Sequence, residues 1–330
     1  MSTPTTPFPA PRSDMLFAGL DIGGTKTEAI VVDGALNLRG RVRQATETRD
    51  PAGLVAGAAA AVRAALRQAG AAPADLAGVG VGVPGQVDPE TGEVRLAANL
   101  NLAGYPLGPG LAQALNAPVF LENDVRLAAV GVYRWLRARE PVQNVAYLSV
   151  GTGVSAGLVV NGRLYRGSHG MAGEIGHVVV EPDGRVCKCG ARGCLETIVA
   201  GPAIAQQARD AGFAPAESLD AGHVYRAATA GDAAAQAVVA RVSDALSLAL
   251  QWLIMAYDVD KVVLGGGVSG AGGAFLAPIM AALARLREQS DLLATMLAAD
   301  KFTALPVDYN PGAWGAVLLA QGGGQRPTGK

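Results

Sequence analysis

A fold of two duplicated α/β domains is predicted by three features of this chain. Short apolar runs bounded by glycine alternate with alanine-rich helical stretches. The 330 residues are enough for two domains with separate cores. The opening motif also returns at an offset of 128 residues, a period too long for a solenoid.

Each element follows in order. Leu16–Leu20 reads as a buried strand that ends in the tight turn Asp21-Ile22-Gly23-Gly24-Thr25-Lys26. Ala29–Val32 returns and stops at the hairpin dipeptide Asp33-Gly34. Residues 53–69 form an alanine-rich helix with Arg63 and Arg67 four apart on one face. Val79–Val83 is a strand broken by Pro84-Gly85, and Val119–Leu121 is a strand leading into Glu122-Asn123-Asp124 and a helix through Trp135. At the offset of 128, Leu20-Asp-Ile-Gly-Gly24 lies over Leu148-Ser-Val-Gly-Thr152, and Val31-Val-Asp-Gly34 over Val159-Val-Asn-Gly162. The second half continues with an amphipathic helix over 232–256, a strand Lys261–Leu264 ending in Gly265-Gly266-Gly267, and a short apolar helix over 311–320.

Composition excludes several classes. Half the residues are hydrophobic and 17% are charged, which is not the composition of a disordered chain. A formal net charge of -1 gives no electrostatic footprint for nucleic acid. Runs such as Val145–Leu148 and Leu248–Ala256 are far shorter than a membrane span. The Pro- and Thr-rich start, residues 1–14, reads as a disordered leader without a signal-peptide core, and residues 322–330 read as a disordered tail. The resulting expectation is a cytoplasmic protein with neither a nucleic-acid nor a membrane partner.

The glycine turns carry the first chemistry. Gly23 and Gly24 let backbone N–H groups approach phosphate oxygens, Thr25 adds a hydroxyl and Lys26 a cation. Asp21, at the strand end, can hold Mg²⁺ directly or through water. Gly151-Thr152-Gly153 repeats the turn in the second half, and a pair of such turns would suit a polyphosphate. Neither a Walker loop nor a G-x-G-x-x-G helix opening occurs. Glu122-Asn123-Asp124 has two readings. It is a helix N-cap, or it is a site in which Asp124 is a general base and Asn123 bonds sugar hydroxyls.

All three cysteines fall between positions 187 and 194, too tightly packed and odd in number for a disulfide framework. With His177 they give H-x9-C-x-C-x4-C, the ligand set of a closed Cys₃His structural zinc site. Lys188 and Arg192 are expected to lower the thiol pKa values. The metal would also bring Glu174 and Glu196 together, two carboxylates able to accept bonds from a polyol.

These motifs together resemble the ROK family (repressors, open reading frames and sugar kinases) from Leu16 to Ala320. The resemblance rests on Leu20-Asp-Ile-Gly-Gly-Thr-Lys26, Val83-Pro-Gly85, Glu122-Asn-Asp124, Ser149-Val-Gly-Thr-Gly153 and Gly173-Glu-Ile-Gly-His177. It rests further on Cys187-Lys-Cys-Gly-Ala-Arg-Gly-Cys194-Leu-Glu196 and Leu264-Gly-Gly-Gly267. It implies an actin-like, ribonuclease-H-like duplicated ATPase fold with a central interdomain cleft. The smaller domain would comprise residues 15–124 plus 311–321, and the larger one, with the zinc loop, residues 125–310. It implies that the turns at Asp21–Lys26 and Gly151–Gly153 embrace the ATP phosphates and that Gly265, Gly266 and Gly267 lie near the adenosine. Asp124 matches the catalytic base, and Asn123, Glu174, His177 and Glu196 match sugar-binding residues, His177 also binding zinc. A homodimer is expected from the family alone.

The resemblance therefore implies an ATP- and Mg²⁺-dependent hexose kinase of carbohydrate metabolism and glycolysis, with glucose the expected hexose. The alternatives are an N-acetylmannosamine, N-acetylglucosamine or fructose kinase, and polyphosphate as donor. Two departures bear on the sugar: Val125-Arg126 follows the Glu-Asn-Asp motif, and the sugar-contacting region reads Asn99-Leu-Asn-Leu-Ala-Gly-Tyr105, which favours Asn99 with Asn101 close behind. The family's sugar-sensing regulators carry an N-terminal DNA-binding domain. The stretch of about 15 residues before the first strand is too short for a helix-turn-helix, so a regulator is not the expectation.

Overall fold

The computed structural model describes residues 15–213, 218–306 and 308–323. They form two compact units, one made of the chain up to Trp135 together with the segment from Asn310, the other of Leu136–Tyr309.

The first unit opens with β1 (Leu16–Ile22), β2 (Lys26–Asp33) and β3 (Leu38–Ala45), an antiparallel meander. Helix α1 (Pro51–Gln68) follows, with Pro51 in its first turn and the Asp50 carboxylate accepting the Gly53 N–H at 2.7 Å. Strand β4 (Leu76–Val83) then pairs parallel to β1. A small antiparallel sheet of β5 (Gln86–Asp88), β6 (Glu93–Ala97) and β7 (Leu102–Tyr105) precedes α2 (Leu107–Leu115). Strand β8 (Val119–Asn123) adds to β4 in parallel and runs into α3 (Asp124–Arg137). The main sheet has the order β3-β2-β1-β4-β8. Leu20, Val31, Leu54, Val62 and Val81 are among the side chains of its core.

The second unit repeats this plan. Strands β9 (Val145–Val150), β10 (Val154–Val160) and β11 (Arg163–Tyr165) form the meander. Helices α4 (Glu196–Val199), α5 (Gly201–Asp210), α6 (Ala221–Thr229) and α7 (Ala233–Tyr257) follow. Then come β12 (Lys261–Gly265), α8 (Gly273–Arg287), α9 (Asp291–Met296) and β13 (Phe302–Ala304). The order β11-β10-β9-β12-β13, with the last two strands parallel, matches that of the first unit strand for strand. The duplication read from the offset of 128 residues is thus a duplication of topology.

Helix α7 corrects one sequence expectation. Its 25 residues have the length and apolarity to cross a membrane, where the sequence reading saw no run of that length. In the fold 61% of its most apolar window is buried, and Val242, Leu246, Leu250 and Ile254 lie in the second core. It is the central helix of that unit.

The last helix, α10 (Pro311–Gln321), returns to the first unit and lies on β1 and β4. The contact is close: a Cβ on Gly80 would stand 1.8 Å from the Ala316 carbonyl oxygen. Helix α3 packs on α10 as tightly, with a Cβ on Gly131 falling 2.0 Å from the Pro311 oxygen. That packing groups α3 through Trp135 with the first unit. The expected leader (1–14) and residues 324–330 of the expected tail lie outside the described residues; Gly322 and Gly323 close α10.

Candidate active site and metal centre

In the first unit the β1–β2 turn is closed by the Gly23 N–H donating to the Lys26 carbonyl at 2.9 Å. Thr46, just past β3, pins it. The Thr46 hydroxyl donates to the Gly23 carbonyl at 2.7 Å, and its N–H donates to the Thr25 carbonyl at 3.0 Å. The Thr27 hydroxyl stands 2.9 Å from that of Thr46. This leaves the Thr25 and Lys26 side chains exposed. Asn99 lies against the turn, its Nδ2 only 3.2 Å from where a Cβ on Gly24 would be. Asn101 instead occupies the left-handed region at φ 55°, which Asn tolerates better than most residues. Its identity is accounted for by that bend, which leaves Asn99 as the asparagine beside the turn.

Asp21 and Asp124 approach each other over a gap in the sheet. Asp21 pairs in register with Gly82 of β4, and Gly82 with Glu122 of β8. Gly82 carries no side chain, and a Cβ there would lie 3.5 Å from the Asp124 Cα and 3.8 Å from the Asp21 Oδ1. Both carboxylates are half-buried. Loss of water raises Asp124 to about 7, the negative Asp21 adding to the effect while the Val125 N–H opposes it. Burial likewise raises Asp21 to about 6, against a hydrogen bond from Asn310.

Asn310 is a residue that sequence reasoning missed. Its Nδ2 donates to Asp21 Oδ2 at 3.0 Å while its Oδ1 accepts the Ala313 N–H at 3.2 Å, capping α10. Gly312 completes the cradle, since a Cβ there would stand 2.8 Å from the Asp21 carboxyl carbon. The partners are 289 residues apart, so no local pattern announces them.

Asn123 serves as the cap of α3. Its Oδ1 accepts the Arg126 N–H at 3.1 Å, and its Nδ2 donates to the Gly85 carbonyl at 3.1 Å. Asp124 accepts the neighbouring Val125 N–H at 2.8 Å. Arg126, one of the two departures from the family pattern, is buried and pairs with the fully buried Glu122 at 3.2 Å.

In the second unit the β9–β10 turn is closed by the Gly151 N–H to the Gly153 carbonyl at 2.9 Å, with Thr152 exposed. A cavity of about 1040 Å³ opens beside it, lined by Gly151, Thr152, Pro202, Tyr225, Gly267 and Val268 among others. Of the three consecutive glycines that end and follow β12, Gly267 lines this cavity. Gly265 instead packs on Tyr147, whose hydroxyl leaves no room for a Cβ.

The zinc-ligand candidates converge. His177, Cys187, Cys189 and Cys194 bring their ligand atoms within 4.8 Å of one another. Cys189 Sγ lies 3.6 Å from Cys194 Sγ, and Cys187 Sγ 3.6 Å from His177 Nδ1. Tetrahedral zinc with its usual Zn–S bonds separates sulfurs by about 3.8 Å, so the four groups fit the ion. Burial pushes the Cys194 thiol up to about 12, and Cys189 is lowered first by the Ala191 N–H. The lowering expected from Lys188 and Arg192 is not what the structure gives: neither cation is a cause, Cys189 is lowered first by a backbone N–H, and Cys194 is raised by its burial.

Both arms of this knot attach to β10. Gly173, at φ 94°, donates no side chain to the contact, and a Cβ would fall 1.7 Å from the Ala156 carbonyl oxygen. Glu174 follows it, exposed, at the N-cap position of the short 3₁₀ turn Ile175–His177, where its side chain makes no capping bond. On the other arm, Glu196 Oε2 accepts the Val154 N–H at 2.9 Å.

Two units of matching strand order, each opening on a strand, a glycine turn and an antiparallel return, define the actin-like class of duplicated α/β folds. The chain belongs to the ROK family, whose family model matches residues 17–322. It is 35% identical over 280 residues to a glucokinase of Halalkalibacterium halodurans, covering 81% of this chain and 84% of that one. It is 32% identical over 255 residues to an N-acetylmannosamine kinase of Vibrio cholerae, covering 77% and 84%. A crystal structure of a ROK family glucokinase from Streptomyces griseus, in complex with glucose and AMPPNP, matches with a TM-score of 0.77 at 30% identity. That match covers 93% of this chain and 99% of that one.

Proposed function

We propose that the protein is an ATP-dependent hexose kinase that converts glucose to glucose 6-phosphate, with Asp124 as general base. The observation that carries this reading is the Asp124 carboxylate, half-buried at the junction of β8 and α3 and held near pH 7 beside a second acid. A base is most effective when its pKa lies near the working pH, because it is then both deprotonated and able to take a proton.

In the proposed reaction Asp124 accepts the proton of the sugar's primary hydroxyl as that oxygen attacks the γ-phosphorus in line. The bond to the β–γ bridging oxygen breaks and ADP departs. Backbone N–H groups of the Gly23–Lys26 and Gly151–Gly153 turns stabilise charge on the phosphoryl oxygens. The Asp21 carboxylate, a hard oxygen donor, would hold Mg²⁺ directly or through water, and the ion would supply further charge neutralisation there. The cavity beside Gly151 and Gly267 has the size and apolar lining to receive the base of a nucleotide. Asn99, Asn123, Glu174, His177 and Glu196 are the proposed partners of the sugar hydroxyls.

Zinc is the proposed occupant of the His177, Cys187, Cys189 and Cys194 cluster, in a structural role. With His177 Nδ1 toward the thiols, Nε2 is left for a sugar hydroxyl. The family resemblance supports a homodimer. The likeness to the Vibrio cholerae enzyme makes N-acetylmannosamine the second sugar to consider. A coupled ADP-release assay across glucose, fructose, mannose and the N-acetyl sugars tests the reading. Turnover with glucose well above the others is expected, and no ADP release with any sugar overturns it.

A further inference from the structure

The kinase reading gives Glu196 a sugar contact, yet its carboxylate is already engaged elsewhere. Its Oε2 accepts the N–H of Val154 at 2.9 Å, and Val154 is the residue directly after the Gly151-Thr152-Gly153 turn. The same oxygen sits 2.8 Å from where a Cβ on Gly153 would be, and Gly153 has no other neighbour as close. At the far end of the short helix that Glu196 begins, the Gly201 N–H donates to the Gly151 carbonyl at 2.8 Å. Glu196 at the start of α4 and Gly201 at the start of α5 therefore hold the turn between them, the first through its side chain on Val154 and the second through its backbone on Gly151. Upstream, α4 is continuous with Cys194, and the Leu195 N–H bonds to the Val178 carbonyl at 2.9 Å, next to His177.

We infer that Glu196 is a positioning residue for the phosphoryl donor: it fixes the shape of the Gly151–Gly153 turn and ties that turn to the metal knot. The inference rests on the kinase reading, because it takes this turn to receive the donor phosphates. It adds that the metal knot governs nucleotide affinity as well as sugar affinity. It also explains Gly153 by a specific contact. Gly153 has no positive φ to demand glycine, and the atom that excludes a side chain there belongs to Glu196.

The test is the affinity for Mg·ADP, measured by calorimetric titration on the full zinc-loaded chain with no sugar present. Glu196→Ala should weaken binding about tenfold, the worth of one charge-assisted hydrogen bond. Glu196→Gln keeps an oxygen that can accept the Val154 N–H. It should weaken Mg·ADP less than Glu196→Ala does, because the bond survives without its charge, while raising KM for the sugar. Gly153→Ala should weaken Mg·ADP by a similar factor in the wild-type background and by nothing further in Glu196→Ala, where the clashing atom is gone. Zinc content and thermal melting of each variant confirm that it is folded; should Glu196→Ala fail to fold, Gly153→Ala alone still reads the contact.

Wild-type Mg·ADP affinity in Glu196→Ala, unchanged affinity in Gly153→Ala, or losses that multiply in the double variant would each overturn the inference. Equal losses in Glu196→Gln and Glu196→Ala would overturn it as well. Failure of the wild-type chain to bind Mg·ADP would instead sink the kinase reading, and this inference with it.

Discussion

Asp124 gathers two opposing demands at one side chain. Burial and the neighbouring Asp21 raise it to about 7, so it is a usable base near neutrality but a costly charge to keep. Asp124→Asn should lower kcat by about 10²–10⁴-fold while leaving sugar affinity nearly intact, read by steady-state kinetics and direct sugar titration. In the wild type, kcat/KM should climb with pH through about 7 and level off above it, as the base loses its proton. Asp21→Asn removes the negative neighbour, so that acid limb should move to lower pH in whatever activity remains. Stability should run the other way. The folded pKa of Asp124 lies above its ordinary value of 3.8, so the protonated form favours the fold. That contribution is present in full below about pH 4 and is lost as pH rises through about 7. Asp124→Asn, always neutral, should therefore melt higher than wild type at pH 8, with the gap closing toward pH 4; equal melting curves at pH 8 would contradict the buried-charge account.

Between residues and units lie the elements, and here the metal knot is the sharpest case. Its two arms press on β10 through Gly173 and Glu196, so the loop depends on the sheet and the sheet's turn depends on the loop. Cys187→Ser removes a buried ligand and should abolish the bound zinc, measured as one equivalent lost per chain by metal analysis, together with a lower Tm and a raised sugar KM. Gly173→Ala leaves the ligands in place but forces a Cβ into the Ala156 carbonyl at a positive φ; it should cost more than about 2 kcal/mol in denaturant unfolding. The ligand set was legible in the sequence because all three cysteines fall within a few residues and spacing alone brings them together. The strand–turn–strand openings were legible for the same reason, being local and repeated. What escaped was long-range or unpatterned. Thr46 and Asn310 act on turns far away in sequence, and nothing in their neighbours marks them. The small sheet β5–β7 and helices α2, α5, α6, α8 and α9 were not assigned from the sequence; most of them are short, with few residues over which a period can show. Arg126 looked like a departure and is half of a buried pair, a role visible once Glu122 is known to point inward.

At the scale of the whole molecule, one strand order is used twice, and the two copies have diverged in what they carry after the shared meander. The first copy follows its meander with a helix and a small sheet. The second follows it with a metal knot and four helices, of which α7 forms the centre of the core. The duplicated part presents glycine turns, whereas the residues proposed to read the sugar in the second unit all belong to the knot, the part with no counterpart in the first. Sugar identity should therefore register as folding stability of the chain, independent of catalysis. A ligand that binds the folded state alone adds about 2.7 kcal/mol when present at a hundred times its Kd. For a chain of this length that is a rise in Tm of several degrees, well within calorimetric reach. Glucose should produce the rise in the wild type and equally in Asp124→Asn, which removes the base but keeps the sugar partners. N-acetylmannosamine at the same concentration should produce a smaller one. A rise with N-acetylmannosamine and none with glucose would move the substrate to the acetylated sugar while leaving the phosphoryl-transfer chemistry as argued. Loss of the glucose effect in Asp124→Asn would mean that the Asp124 carboxylate, besides acting as base, carries much of the sugar affinity.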